Sequence, residues 1–184
     1  MRRLTLALTI TAAAVVAGLA ATSASATAYG NLSFFSGGGG SAAWAGTQNK
    51  HSAVQLNVPG AGDYAGIELN RFSATAPGDA PTFTTNGYAA GSPRLVIEFA
   101  GGANLFGYPS QFDSQWEVAG CNSVAPNNYT NYGSALAALG AGTQADGTPC
   151  GGDVTAVFVV ADGSGGPETD SITTLVYDGT AYIG

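Results

Sequence analysis

Three glutamates lie in the middle of segments that alternate between apolar and polar residues: Glu68, Glu98 and Glu117. If their strands share a sheet, the carboxylates line one face, and two carboxylates about 5–10 Å apart are the minimum for glycoside hydrolysis. Arg94 lies on the same strand face as Glu98 and would favour its ionised form, which does not suit a general acid. We therefore predict no catalytic residues. A small glycoside hydrolase that uses Glu98 and Glu117 is the alternative.

A second group of residues combines amides with aromatic rings. Sugar rings stack on flat aromatic side chains, while Asn side chains bond the hydroxyl groups. The densest cluster of this kind predicts a ligand-binding site and comprises Asn127, Asn128, Tyr129, Asn131 and Tyr132. The alternative is that the tyrosines cover the edge of the core.

A glycine-rich segment carries three carboxylates that form a weak calcium candidate: Asp162, Glu168 and Asp170. Carboxylate oxygens and tight turns suit calcium, but the spacing departs from the regular Asp-x-Asp-x-Asp-Gly pattern. A polar turn between two strands is the plainer interpretation. We expect no other metal and no cofactor.

The sequence lacks the residues that two other kinds of site require. His51 is the only histidine, and no Gly-x-Ser-x-Gly segment is present, so a serine hydrolase is not expected. The glycine run 37–40 lacks the Lys-Ser/Thr that a phosphate-binding loop needs.

The two cysteines, Cys121 and Cys150, predict one disulfide if the chain is exported. With one histidine they cannot complete a four-ligand zinc site unless carboxylates join them.

Short apolar segments separated by Gly, Pro, Asn and Asp are typical of an all-β domain. Residues 133–140 break this pattern and predict a short helix, which Ser134 would cap and Gly140 would end. Residues 154–160 are apolar on both faces, which predicts a central strand. The predicted strands are 51–58, 64–72, 82–85, 94–100, 115–119, 154–160, 171–177 and 180–183.

The beginning of the chain has the features of a secretion signal. Arg2 and Arg3 precede an apolar run over 4–21, and residues 24–26, Ala-Ser-Ala, fit a signal-peptidase site. We expect residues 1–26 to be removed and the protein to be secreted to the extracellular space, with no membrane association afterwards.

The charge balance excludes one class of partner. The formal net charge is −7, and removal of Arg2 and Arg3 makes it −7 − 2 = −9. An acidic protein is repelled by phosphate backbones, so nucleic acid is not an expected partner. Only 9 % of residues are charged, so the surface must be hydrated mainly through Ser, Thr, Asn and backbone groups.

Residues 27–41 are predicted to be an N-terminal strand and a glycine-rich spacer, followed by a single domain over 42–184. We expect 31–35 to be the first strand of the domain. The alternative is an arm that pairs with another chain.

The C-terminal third, with Asp-Val-Thr-Ala-Val-Phe-Val-Val-Ala-Asp at 153–162 and Ile-Thr-Thr-Leu-Val-Tyr-Asp-Gly at 172–179, resembles the closing strand pair of secreted jelly-roll sandwiches. Galactose-binding-like folds and carbohydrate-binding modules end in this way. The resemblance implies a sandwich fold and, by analogy, a sugar ligand, but it has no motif from which site residues can be transferred.

These observations predict an all-β, antiparallel, jelly-roll-like sandwich with one short helix. The expected function is that of a secreted, non-catalytic binding or surface protein with carbohydrate as the leading ligand class. Besides the glycoside hydrolase, the alternative is an extracellular protein-interaction subunit that uses its N-terminal arm. The expected partner is a polysaccharide or another extracellular protein.

Overall fold

The computed structural model describes residues 31–45, 52–87, 92–108, 116–124 and 128–184. The proposed signal segment 1–26 and His51 lie outside these ranges. The β-strands are β1 Leu32–Gly37, β2 Ser41–Ala45, β3 Ala53–Val58, β4 Tyr64–Leu69, β5 Thr82–Thr85, β6 Arg94–Phe99, β7 Asn104–Gly107, β8 Trp116–Ala119, β9 Asn128–Tyr129, β10 Val154–Asp162, β11 Glu168–Tyr177 and β12 Thr180–Ile183.

Seven of these strands form one antiparallel sheet in the order β1-β4-β10-β6-β7-β8-β9. β10 lies in the middle, paired with β4 on one side and β6 on the other. Its position confirms the prediction of a central strand from its two apolar faces.

The second sheet is also antiparallel and has the order β12-β11-β3-β2, with β5 paired to β11. Asp178 and Gly179 join β11 to β12 and have φ of 50° and 68°. Positive φ at both positions is the requirement of the hairpin turn that the Asp-Gly pair predicts.

The two sheets pack face to face as a β-sandwich, and their inward side chains form one hydrophobic core. The largest fully buried residues include Leu56 and Tyr177 from the five-stranded sheet and Trp116 from the seven-stranded sheet. The prediction of an antiparallel sandwich with one short helix is confirmed.

The helix, α1, spans Tyr132–Ala141. Its predicted cap is wrong: Ser134 lies inside the first turn, and Asn131 is the N-cap, its side chain accepting a hydrogen bond of 2.8 Å from the Ser134 amide. The end also differs slightly, because the helix continues past Gly140 to a cap at Gly142. None of the described helices has the length and apolar character needed to span a membrane.

Cys121 and Cys150 form the expected disulfide, with Cα atoms 5.5 Å apart. Cys121 follows β8 and Cys150 precedes β10, so the bond closes a loop that contains α1.

Residues 31–35 belong to the domain, because β1 pairs with β4 over its whole length. The glycine run turns the chain from β1 in one sheet to β2 in the other. Gly38 has a φ of 63°, and the Gly40 amide donates to the Gly37 carbonyl. The segment treated as a spacer is therefore a turn between the sheets.

Candidate functional site

The two described tyrosines of the predicted ligand cluster at residues 127–132 do not present exposed rings for stacking. Tyr132 is only 4 % exposed, and its ring lies 4.9 Å from that of Trp116 in the core. Tyr129 is half-buried and packs against the core. The amide oxygen of Asn131 accepts the hydrogen bond that caps the helix.

Asn127 lies outside the described residues, and for Asn128 the structure describes only the backbone strand β9. A tyrosine at the start of a helix that packs on the sheet is drawn inward by the apolar area it buries, and this overrides its loop-like sequence setting. The structure thus corrects the role of Tyr132 and supports the alternative in which the tyrosines cover the core.

The three predicted calcium ligands each have a different environment in the structure. Asp162 pairs with Arg94, with N and O atoms 2.5 Å apart, and Glu168 accepts a hydrogen bond of 2.5 Å from the Ser92 hydroxyl. Asp170 is buried in β11, and one of its carboxylate oxygens has no hydrogen-bond partner within the described part of the chain. Across the described ranges, no group of three or more His, Cys, Asp or Glu residues is arranged to hold a metal ion. The calcium candidate is therefore withdrawn.

The three glutamates do share a sheet, which was the condition for their carboxylates to line one face. Glu98 in β6 and Glu117 in β8 have β7 between them and lie on different cross-strand rows, Glu98 opposite Asn104 and Glu117 opposite Phe106. They are therefore not direct neighbours, and Glu117 instead accepts a hydrogen bond of 2.9 Å from the Tyr108 hydroxyl.

The prediction that Arg94 favours the ionised form of Glu98 is wrong. Burial of its carboxyl group, followed by the charge of Glu68, raises the pKa of Glu98. Arg94 pairs with Asp162 instead. In Asp162, burial opposes ionisation, but the hydrogen bond from Ser164 and the charge of Arg94 outweigh it and lower the pKa.

Sequence reasoning missed the most distinctive surface of the molecule, the outer side of the seven-stranded sheet. Side chains alternate along a strand, and in this sheet the residues between the core positions point away from the core. Four half-buried aromatic residues on this side are called the aromatic face below: Phe35, Tyr64, Phe106 and Phe158.

One row across five adjacent strands shows how this surface is composed. The residues opposite one another are Glu68, Phe158, Val96, Phe106 and Glu117. Because strands lie about 4.8 Å apart, the two phenylalanine positions are about 10 Å apart. Val96 between them is only 2 % exposed, which is consistent with cover from the neighbouring rings. The row therefore presents two rings over an apolar base with a carboxylate at each end.

Two glycines give the other rings room to lie flat on the sheet. A Cβ at Gly66 would overlap the Phe35 ring, and a Cβ at Gly37 would overlap the Tyr64 ring. The Phe35 ring lies 5.8 Å from that of Phe158 and 6.4 Å from that of Tyr64. These three rings form one contiguous cluster at the β1–β4–β10 side of the face.

The Phe106 side of the face is more polar. The Arg94 guanidinium lies 5.8 Å from the centre of the Phe106 ring, within range of a cation–π contact. Asn104 and Glu98 occupy the neighbouring cross-strand pair. Donors and acceptors therefore surround the aromatic rings.

The sequence holds one signal for this surface: the central strand β10 is apolar on both faces, which means that its outer face is apolar too. The partners of β10 come from distant parts of the chain, so the signal could not show which rings would join Phe158. No family model matches this sequence, and neither a curated protein nor a solved structure matches it.

Proposed function

We propose that this chain is a secreted, non-catalytic carbohydrate-binding protein whose ligand lies on the aromatic face. The observation that carries the proposal is the row of Phe158 and Phe106 flanked by Glu68 and Glu117. The apolar sides of sugar rings stack on aromatic rings, and sugar hydroxyls bond to carboxylates, amides and guanidinium groups.

The mixture of groups favours a sugar over a protein partner. The fully buried centre of a protein interface is depleted of charged residues. Here the charged groups of Glu98 and Arg94 lie among the aromatic residues rather than at a distant rim. A hydroxyl-rich ligand with apolar ring faces can satisfy both kinds of group at once.

Secretion supports the same proposal. The signal-like features of residues 1–26 and the cysteine pair fit an exported protein. Only 9 % of the residues are charged, so the protein has few groups that could recognise a ligand mainly through ion pairs.

The proposal is tested by a glycan array, followed by affinity electrophoresis in the best-retained polysaccharide. Phe106→Ala removes one ring of the row and is expected to weaken binding about two- to twelvefold, because aromatic contacts contribute about 0.5–1.5 kcal/mol. Phe106→Trp keeps a ring and should retain binding. Gln55→Ala, on the exposed side of β3 in the other sheet, is the matched control and should bind as the wild type does.

Loss of binding in Phe106→Ala with an unchanged melting temperature supports the proposal. Equal retention of the Phe106→Ala and wild-type proteins would refute the assignment of this face, and an array with no bound glycan would refute the ligand class.

A second candidate function is glycoside hydrolysis, and one observation favours it. Glu98 has a raised pKa caused by burial and by Glu68, which is the setting a general acid requires. The charge effect of Glu68 makes Glu98 and Glu68 the pair to test, although these two residues, like Glu98 and Glu117, have one strand between them and lie on different cross-strand rows. Turnover of a glycan by the wild type that Glu98→Gln abolishes, with binding intact, would favour the hydrolase over the binding protein.

A further inference from the structure

The strand β1 forms one edge of the seven-stranded sheet, with β4 as its partner on the inner side. The Asn70 amide donates to the Asn31 carbonyl, which fixes the hydrogen-bonding phase of this antiparallel pair. Residues 33, 35 and 37 then bond to β4, because bonded positions alternate along an antiparallel strand. The N–H and C=O groups of Leu32, Phe34 and Ser36 consequently point outward from the sheet edge.

Within the described residues, this edge lacks the usual protection against pairing. Residues 31–45 contain neither a charged residue nor a proline. The register with β4 is continuous from Leu32 to Gly37, without a bulge. Natural edge strands commonly carry Lys, Pro or a bulge, because these features prevent the unpaired backbone groups from bonding to another strand.

We propose that the outer edge of β1 pairs with β1 of a second copy of this chain, antiparallel about a two-fold axis at Phe34. In this register Phe34 faces its own counterpart, and Leu32 of each copy faces Ser36 of the other. All the outward groups of the three residues are then bonded, because an antiparallel edge is complementary to itself.

Charge favours a second copy at this place. The chain has a formal net charge of −7, so two copies repel each other through most of their surfaces, but the β1 edge carries no charge. The acidic residue on the adjacent strand is Glu68. Across the pair, the two Glu68 positions are three strand spacings apart, about 14 Å, which exceeds the Debye length of about 8 Å at physiological salt.

The pairing also places Phe35 of each copy opposite Ser33 of the other, on the outer side of the joined sheets. The aromatic faces of the two copies then continue into one surface. The pairing itself needs no ligand, so it stands or fails independently of the proposed sugar binding.

Sedimentation velocity over a concentration series tests the proposal on the purified protein. The wild type is expected to form a dimer as concentration rises. Ser36→Lys places an ammonium group at the edge and should leave the protein monomeric. Ser164→Lys, at an exposed serine in the turn after β10, makes the same change in charge and should still dimerise.

Hydrogen exchange locates the contact without any substitution. The amides of Leu32, Phe34 and Ser36 should exchange more slowly in the dimer than in the monomer. A wild type that stays monomeric throughout the series, or a dimer that Ser36→Lys leaves intact while these amides exchange freely, would overturn the proposal.

Discussion

At the scale of single residues, the sandwich buries the carboxyl group of Asp170 at a free-energy cost. Its residue is 1 % exposed, and its Oδ2 atom has no hydrogen-bond partner among the described residues. A charge in this position would be poorly solvated, and burial raises the pKa of Asp170 above its ordinary value of 3.8. Burial also raises the pKa of the neighbouring Glu168, although a hydrogen bond from Ser92 opposes this shift.

The raised pKa of Asp170 sets the sign of a pH dependence. Between the unfolded and the folded pKa, the folded state holds a proton that the unfolded state has lost, so this residue makes stability fall as pH rises from about 4. Asp170→Asn removes this pH-dependent loss of stability, because asparagine does not ionise. We expect its free energy of unfolding, relative to the wild type, to increase from pH 4 to pH 7 in urea titrations followed by tryptophan fluorescence.

Asp146→Asn provides a control of opposite sign. Hydrogen bonds from Thr148 lower the pKa of Asp146, so ionisation of this residue stabilises the fold as pH rises. The free energy of unfolding of this variant should therefore decrease relative to the wild type as pH rises up to about 4, and the difference should stay level from about pH 4 to pH 7. A difference between Asp170→Asn and the wild type that does not change with pH would contradict the assignment of a buried, unsatisfied carboxyl.

Gly66 supports the aromatic face directly. Its added Cβ would overlap the Phe35 ring and would lie 2.6 Å from the Val159 carbonyl oxygen in β10. The ring can move, but the backbone of a central strand cannot do so cheaply. We expect Gly66→Ala to lower the free energy of unfolding by about 1–3 kcal/mol, as overpacking commonly does, in urea denaturation.

Gly140 in α1 is the matched glycine, because an added Cβ there meets nothing within 4 Å. Gly140→Ala should raise the free energy of unfolding by up to about 1 kcal/mol, since alanine favours a helix. If the two substitutions had the same effect, the close contact at Gly66 would be wrong.

At the scale of elements, the segments with a clear alternation or an adjoining turn signal were predictable from the sequence, including the four-residue strands β5, β8 and β12. Residues 94–100 alternate so clearly that the strand is within one residue of the predicted bounds. β2 and β7 were not predicted, because each adjoins glycines and lacks a clear alternation of apolar and polar residues. Their extended form depends on pairing with the strands next to them in the chain, β3 for β2 and both β6 and β8 for β7.

The candidate site was harder to predict than the fold for a related reason. Tyr132 lies among polar residues, yet the helix that it begins turns its ring onto Trp116. Phe35, Phe106 and Phe158 are far apart in the sequence and reach the same face of the sheet only because β10 lies between β4 and β6. Local pattern shows that each strand has an outer face, but long-range pairing decides which outer residues become neighbours.

The disulfide links the end of β8 to the segment before β10 and closes a loop with a sequence separation of 29 residues. In the chain-entropy account, such a loop contributes about 3–4 kcal/mol by restricting the unfolded chain. We expect the double variant Cys121→Ser/Cys150→Ser to lose about this much free energy of unfolding in urea. Reductant should destabilise the wild type and leave the variant unchanged, and a loss below about 1 kcal/mol would contradict the structural role of the bond.

At the scale of the whole molecule, the seven-stranded sheet has two different surfaces. Its inner face supplies half of the hydrophobic core, and its outer face carries the aromatic face with Glu68, Glu98, Glu117 and Arg94 around it. The central strand β10 serves both surfaces, which is why it is apolar on both sides. The proposed ligand therefore lies on the part of the fold with the most strand neighbours, where the positions of the rings are held firmly.

The central claim is that carbohydrate binds on the aromatic face. An NMR titration of the nitrogen-15-labelled protein with a panel of soluble oligosaccharides tests this claim residue by residue. The account predicts that a bound oligosaccharide shifts the amide signals of β10, β6 and β7 around Phe158, Val96 and Phe106, while β3 and β11 stay unchanged. Shifts confined to the 128–132 region or to the five-stranded sheet, or no shift with any oligosaccharide of the panel, would contradict it.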